Sequence, residues 1–246
     1  MLFPPAQLIV PSPETGTEYH ISVASPDPSQ HPGPWRVLVV LDGDDHFSVA
    51  LDAYRGWWAR GGGRPLLLVG VGYGAGFRKP GNRRIRDYTP RIVDEEPESG
   101  GAEAFHSFLR ETLWPRLAKA YPVRHDDPGL AGHSLGGLFV LHALFRREPF
   151  FRRGLAAAPS VWWDDQAMLR QVQRFRSGCD RLPARLFLGV GESDTESMRR
   201  DFAAFERQLR EQPFEELRWE SEHYTGRGHF NVIPNAYEAG LRALYG

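Results

Sequence analysis

The chain has 246 residues, 41% hydrophobic and 25% charged, with a formal net charge of −1. That balance fits a folded protein of one large or two small α/β domains and excludes a generally basic nucleic-acid binder. The single Cys179 rules out an internal disulfide, and no apolar window approaches the length of a membrane span.

In chain order, the amino-terminal stretch MLFPPAQLIVPSPETG lacks a basic start, a long apolar core and a small-residue cleavage site. It is not read as a secretory signal, and with the lone cysteine it leads to a cytoplasmic expectation. TEYHISVAS (17–25) alternates and belongs to an antiparallel amino-terminal hairpin. WRVLVVLD (35–42) and PLLLVGVGY (65–73) are continuous apolar runs, as in strands buried on both faces. RKPGNRRIRDYTPRIVDEEPESGG (78–101) is too long and polar for an ordinary connection and reads as a functional loop or flap. AEAFHSFLRETLWPRLAKAY (102–121) has helical period.

GLAGHS (129–134), GLAAAPS (154–160) and ARLFLGVGE (184–192) read as further buried strands, and LRWESEH (217–223) as a sheet margin. TESMRRDFAAFERQLREQ (195–212) and NAYEAGLRALYG (235–246) read as helices. Strand and helix in alternation predict a mostly parallel twisted sheet with helices on both faces. No linker divides the chain, so residues 1–246 are taken as a single domain.

The stretch GLAGHSLGGLFVLHAL places Ser134 between Gly132 and Gly136, after a strand and before an apolar helix. This is the context that a Gly-x-Ser-x-Gly nucleophile elbow requires. The elbow exposes the hydroxyl and sets the Leu135 N–H where an oxyanion would develop. The second donor is expected at Gly43 and Asp44, in the LDGDDHF loop after an early strand.

A serine needs a base, and in this order the acid comes before the histidine. His229, in the Gly-flanked GRGHFNVIP segment before the last helix, is favoured over His223. Asp194, in GESD after a strand, is favoured over Glu192. A plain helix cap is the alternative use of either acid. The aspartates at 42, 44 and 45 do not make a calcium loop, because the twelfth position is Ala53 rather than Glu. No metal-ligand spacing occurs, so neither metal nor cofactor is expected. GVGYGA (70–75) is not read as a dinucleotide site, because GFRKPGN is a poor helix start.

The segments VVLDGDDHF, RIRDYTP, GHSLGGLFVLHALF, APSVWWDD, GVGESD and GRGHFNVIP occur in this order. Together they resemble the esterase D-like branch of the α/β-hydrolases, which includes esterases that open catecholate-siderophore trilactones. The resemblance runs from about residue 17 to the end. It implies an α/β-hydrolase fold and cofactor-free ester hydrolysis through an acyl-enzyme, with Ser134 as nucleophile, His229 as base and the acid at Asp194. Family members often carry Glu at that acid, and some work largely as a Ser-His pair. The resemblance also puts Arg84 near the substrate.

The basic residues Arg78, Lys79, Arg83, Arg84, Arg86 and Arg91 suit capture of an anionic substrate such as a ferric tris-catecholate, or simply a solvated loop. Trp162 and Trp163 are candidates for the wall of an acyl or aromatic pocket, with at least one expected in the core. His133 is expected to point away from the base. The partner expected is a small-molecule ester, anionic or aromatic, with no nucleic acid or membrane. The rivals are a general short-acyl or carbohydrate esterase, an acyl thioesterase, and a binding protein on a hydrolase scaffold.

Overall fold

Apolar runs that do not alternate become buried strands in the computed structural model, which describes residues 5–246. Residues 1–4, part of the amino-terminal stretch considered above, lie outside the described residues. Two compact units divide the chain, Met1–Leu130 and Ala131–Gly246.

In the first unit, β1 (Ala6–Ser12) and β2 (Thr17–Ala24) form the expected antiparallel hairpin. Alternation in β2 turns Tyr19, Ile21 and Val23 inward and leaves Glu18 and His20 exposed. β2 also pairs antiparallel with β4 (Leu66–Gly72), and β4 pairs parallel with β3 (Arg36–Val40). The order is β1-β2-β4-β3. Between β3 and β4 runs α1 (Gly43–Ala59), a helix absent from the expectations above. Its buried Phe47, Ala50, Leu51, Tyr54 and Trp57 recur at helical steps. The aspartates and glycines around them hide that period. Gly43 lets α1 lean on β4: a Cβ there would lie 2.7 Å from the Val71 nitrogen.

The 78–101 segment is anchored. It contains the short α2 (Arg84–Tyr88), and Arg84, Asp87, Tyr88, Thr89 and Ser99 are buried. The expected 102–121 helix is α3 (Ala102–Ser107), a π-helical stretch (Phe108–Leu113) and α4 (Trp114–Ala120). Pro115 stands at the start of α4, two residues past the end of the widened turns. It has no N–H to donate, so regular α-helical bonding is interrupted there.

β5 (Gly129–His133) runs into the second unit, where the order is β5-β6-β7-β8. β6 (Arg153–Ala157), β7 (Arg181–Gly191) and β8 (Glu215–Tyr224) pair in parallel. No residue of β8 is fully buried, as its marginal reading predicts. After β5 comes α5 (Leu135–Leu144), buried at all ten positions. α6 (Trp163–Gly178) also lay outside the sequence reading; it buries only Trp163, Met168 and Val172, too few to signal a period. α7 (Glu196–Glu211) is capped by Thr195, whose hydroxyl accepts from the Met198 N–H. α8 (Ile233–Tyr245) closes the chain. Parallel strands alternating with helices, behind an antiparallel hairpin, are the α/β class the sequence predicts. Among the described residues, no helix is long and apolar enough to cross a membrane.

Phe205 of α7 is fully buried and meets the Phe145 ring edge-on at 5.9 Å. Phe205→Ala is expected to lower unfolding free energy by about 3–5 kcal/mol. Urea denaturation checks this, and an unchanged midpoint would contradict the packing.

Candidate active site

Ser134 sits between β5 and α5 with φ 59° and ψ −118°. A non-glycine residue rarely adopts positive φ, so neighbours must hold it there. They do. The Ser134 N–H donates to the Ala157 carbonyl at 2.9 Å, and its carbonyl accepts from the N–H groups of Leu138 at 2.9 Å and Ser160 at 3.0 Å. The turn also needs Gly132, where a Cβ would run into the Gly136 backbone. Leu135 opens α5, and the first N–H groups of a helix have no acceptor within it.

β7 and β8 are adjacent and parallel, with Gly191 opposite Tyr224, so the loops after them leave the same end. Those loops are stitched together. The Glu192 N–H donates to the Tyr224 carbonyl at 3.1 Å, and the Ser193 N–H to the Arg227 carbonyl at 2.8 Å. Asp194 and His229 meet as a result. His229 Nδ1 lies 2.9 Å from Asp194 Oδ2, and His229 Nε2 lies 3.0 Å from Ser134 Oγ. A carboxylate only accepts, so Nδ1 carries the ring hydrogen and Nε2 presents its lone pair to the serine hydroxyl. Asp194 is buried, and its other oxygen accepts from the Thr195 N–H at 2.8 Å. The alternatives fall elsewhere. Glu192 is exposed, and His223 pairs with Glu206 at 3.1 Å.

One expectation is corrected. His133 does not point away from His229. Its Nε2 donates to the His229 carbonyl at 2.7 Å, and the two rings lie 4.5 Å apart. His133, inside the elbow and next to Ser134, thus ties the end of β5 to the loop that carries His229. Phe230, largely exposed, stands edge-on to His229 at 5.0 Å. Trp163 is buried and Trp162 half-exposed, with their rings 5.7 Å apart. Ser160 lies just before them, its Oγ 3.2 Å from Ser134 Oγ. In the sequence its stretch reads as the end of a strand and as part of the APSVWWDD segment, with no role assigned to the serine.

In the first unit, Gly43 and Asp44 begin α1 rather than lie in an open loop. The Asp44 carboxylate accepts from the N–H groups of Tyr73 at 2.6 Å and Gly74 at 3.1 Å. Asp42, just before them, is buried at φ 51°. Arg84 grips it with both ends of its guanidinium, at 2.9 and 3.1 Å, and lies over the rings of Phe77 and Tyr88. Burial opposes the Arg84 charge, but Asp42 outweighs it and holds the pKa above its ordinary value. Burial pushes the hydroxyl of Tyr88 well above its ordinary pKa, so it stays protonated; its oxygen accepts from the Asp42 N–H at 3.0 Å.

Asp87 accepts from Tyr19 at 2.7 Å, Tyr73 at 3.0 Å and Arg86 at 2.7 Å. The basic cluster is thus partly paired within the chain: Arg84 and Arg86 with buried aspartates, and Arg83 with Glu98 in an exposed pair at 3.5 Å. Arg84 is an anchor for Asp42, a contact between residues 42 positions apart.

The family model described as "Putative esterase" matches residues 12–232. The chain is 32% identical to the ferri-bacillibactin esterase BesA of Bacillus subtilis (strain 168), over 91% of this chain and 83% of that one. It is 31% identical to the siderophore enterobactin esterase of Emericella nidulans, over 84% of this chain and 81% of that one. The crystal structure of the BES protein from Bacillus cereus is similar at a TM-score of 0.87 and 29% identity, over 98% of this chain and 94% of that one.

Arg84→Met leaves the Asp42 carboxylate buried without its main partner, which is expected to destabilise the protein by about 3–5 kcal/mol. Urea unfolding without substrate measures it. Wild-type stability with activity lost only toward anionic esters would instead assign Arg84 to substrate binding.

Proposed function

The chain belongs to the esterase family and is an ester hydrolase of α/β-hydrolase fold, and on that premise we propose that Ser134, His229 and Asp194 carry the reaction. The single observation behind this reading is the continuous chain of contacts Asp194–His229–Ser134, at 2.9 and 3.0 Å. Ser134 Oγ attacks the acyl carbon while His229 Nε2 takes its proton. Asp194 keeps the ring in the tautomer that can accept and stabilises the imidazolium. The proton then passes to the departing alcohol, and water, activated by the same imidazole, releases the acid. The Leu135 N–H is the proposed oxyanion donor from α5.

The proposed substrate is the ester linkage of a siderophore. Relatives named for siderophore hydrolysis support this, as do the exposed rings of Trp162 and Phe230, which offer stacking surface. The internal pairing of Arg83, Arg84 and Arg86 favours a second reading, a general short-acyl esterase, because less of the basic cluster is left to attract an anion. Cys179, outside any disulfide, supports a cytoplasmic setting.

Ser134→Ala is expected to lower kcat/KM on p-nitrophenyl acetate by roughly 10⁴-fold or more, and Asp194→Asn by up to roughly 10⁴-fold. Undiminished turnover by Ser134→Ala would refute the assignment. A panel of simple esters, thioesters and trilactone siderophores, with and without iron, tests the substrate. The siderophore reading expects the highest kcat/KM on a trilactone, and a preference for simple acetates would overturn it.

A further inference from the structure

Ser134 Oγ has a second polar neighbour, Ser160 Oγ at 3.2 Å. Ser160 is 1% exposed, so its hydroxyl has little access to water. Counting hydrogens gives the direction of this bond. The Asp194 carboxylate can only accept, which puts the ring hydrogen of a neutral His229 on Nδ1. His229 Nε2 must then accept, and the one hydrogen on Ser134 Oγ goes to it. Between the two serines, only Ser160 has a hydrogen left to give. The Ser160 hydroxyl therefore donates to the oxygen of Ser134.

We infer that Ser160 is a further catalytic residue, whose hydroxyl donates to the nucleophilic oxygen and stabilises it as its proton leaves. This rests on the assignment of Ser134 as nucleophile. The geometry is built rather than incidental. The Ser160 N–H donates to the Ser134 carbonyl at 3.0 Å, so both ends of one residue are bonded to the other. The segment before it is held as firmly. Ala158 has φ 41°, unfavourable for a residue with a Cβ, and its N–H donates to the Gly189 carbonyl at 2.7 Å. That turn aims Pro159 and Ser160 back at the elbow.

In the acylation step the Oγ–carbon bond forms, the carbonyl π pair moves to the carbonyl oxygen, and the Ser134 proton passes to His229 Nε2. Ser160 keeps its own proton throughout. Its bond strengthens as charge builds on Oγ, because a hydrogen bond to a charged acceptor is stronger than one to a neutral acceptor. It weakens once Oγ is an ester oxygen. The gain falls in the transition state rather than the ground state, which is the condition for acceleration. The same bond assists expulsion of Oγ during deacylation, by microscopic reversibility.

The test is the steady-state kinetics of Ser160→Ala, Ser160→Thr and Ser134→Ala on p-nitrophenyl acetate, with thermal unfolding of each. Ser160→Ala is expected to lose about 10- to 100-fold in kcat/KM, in the range for one hydrogen bond to a charged group. The loss should lie in kcat, with KM within about threefold and the unfolding temperature near wild type. Ser160→Thr should recover most of the rate. Should the alanine variant not fold, Ser160→Cys, close in size and a weak donor, is expected to lose about tenfold. Wild-type kcat in Ser160→Ala or Ser160→Cys, or a loss confined to KM, overturns the inference while leaving the Ser134 assignment standing. Full activity in Ser134→Ala refutes that assignment instead.

Discussion

The site rests on one backbone constraint: a serine held at φ 59° where a parallel strand turns into a buried helix. Every polar contact of Ser134 follows from that turn. It sends the carbonyl to Leu138 and Ser160, the amide to Ala157, and the hydroxyl to His229. A residue in this conformation costs of order 1–3 kcal/mol, offset by the fully buried α5 and by the hydrogen bonds that close round the turn. Strain at this point is useful, because a relaxed serine would continue the strand and lose its approach to the base.

The other two members of the constellation come together through sheet topology. Parallel neighbours β7 and β8 end side by side, and two backbone hydrogen bonds join the loops that follow. Asp194 and His229 are thus held to each other by the loops that carry them. His133 adds a bond from the elbow to the loop after β8, tying β5 to the carbonyl of His229. In the first unit two buried aspartates are held by arginines, Asp42 by the buried Arg84 before α1 and Asp87 by the half-buried Arg86 beside β2. The tyrosines beside them stay protonated because burial disfavours their anions.

Much of this was legible in the sequence where local chemistry decides the outcome. Strands β3 to β7 announce themselves as apolar runs, and the glycines flanking Ser134 mark a turn too tight for a Cβ. Asp194 and His229 stand out because each follows a strand and precedes a helix. α1 was hidden because its apolar period is interleaved with Asp, Gly and Arg, and α6 because it buries only three side chains. The roles of His133 and Ser160 depend on residues 96 and 26 positions away, and no local pattern carries that information. The family resemblance puts Arg84 near the substrate, on the strength of the DYTP motif that follows it. Only the fold reveals the aspartate 42 residues earlier that it holds.

The central claim is that the hydroxyl of Ser134 is the activated nucleophile. Mass spectrometry of the protein after treatment with a fluorophosphonate tests it most directly. The account predicts a single phosphonyl adduct on Ser134, formed slowly or not at all when His229 is replaced by Ala. An adduct on another residue, or equal labelling without the imidazole, would contradict it.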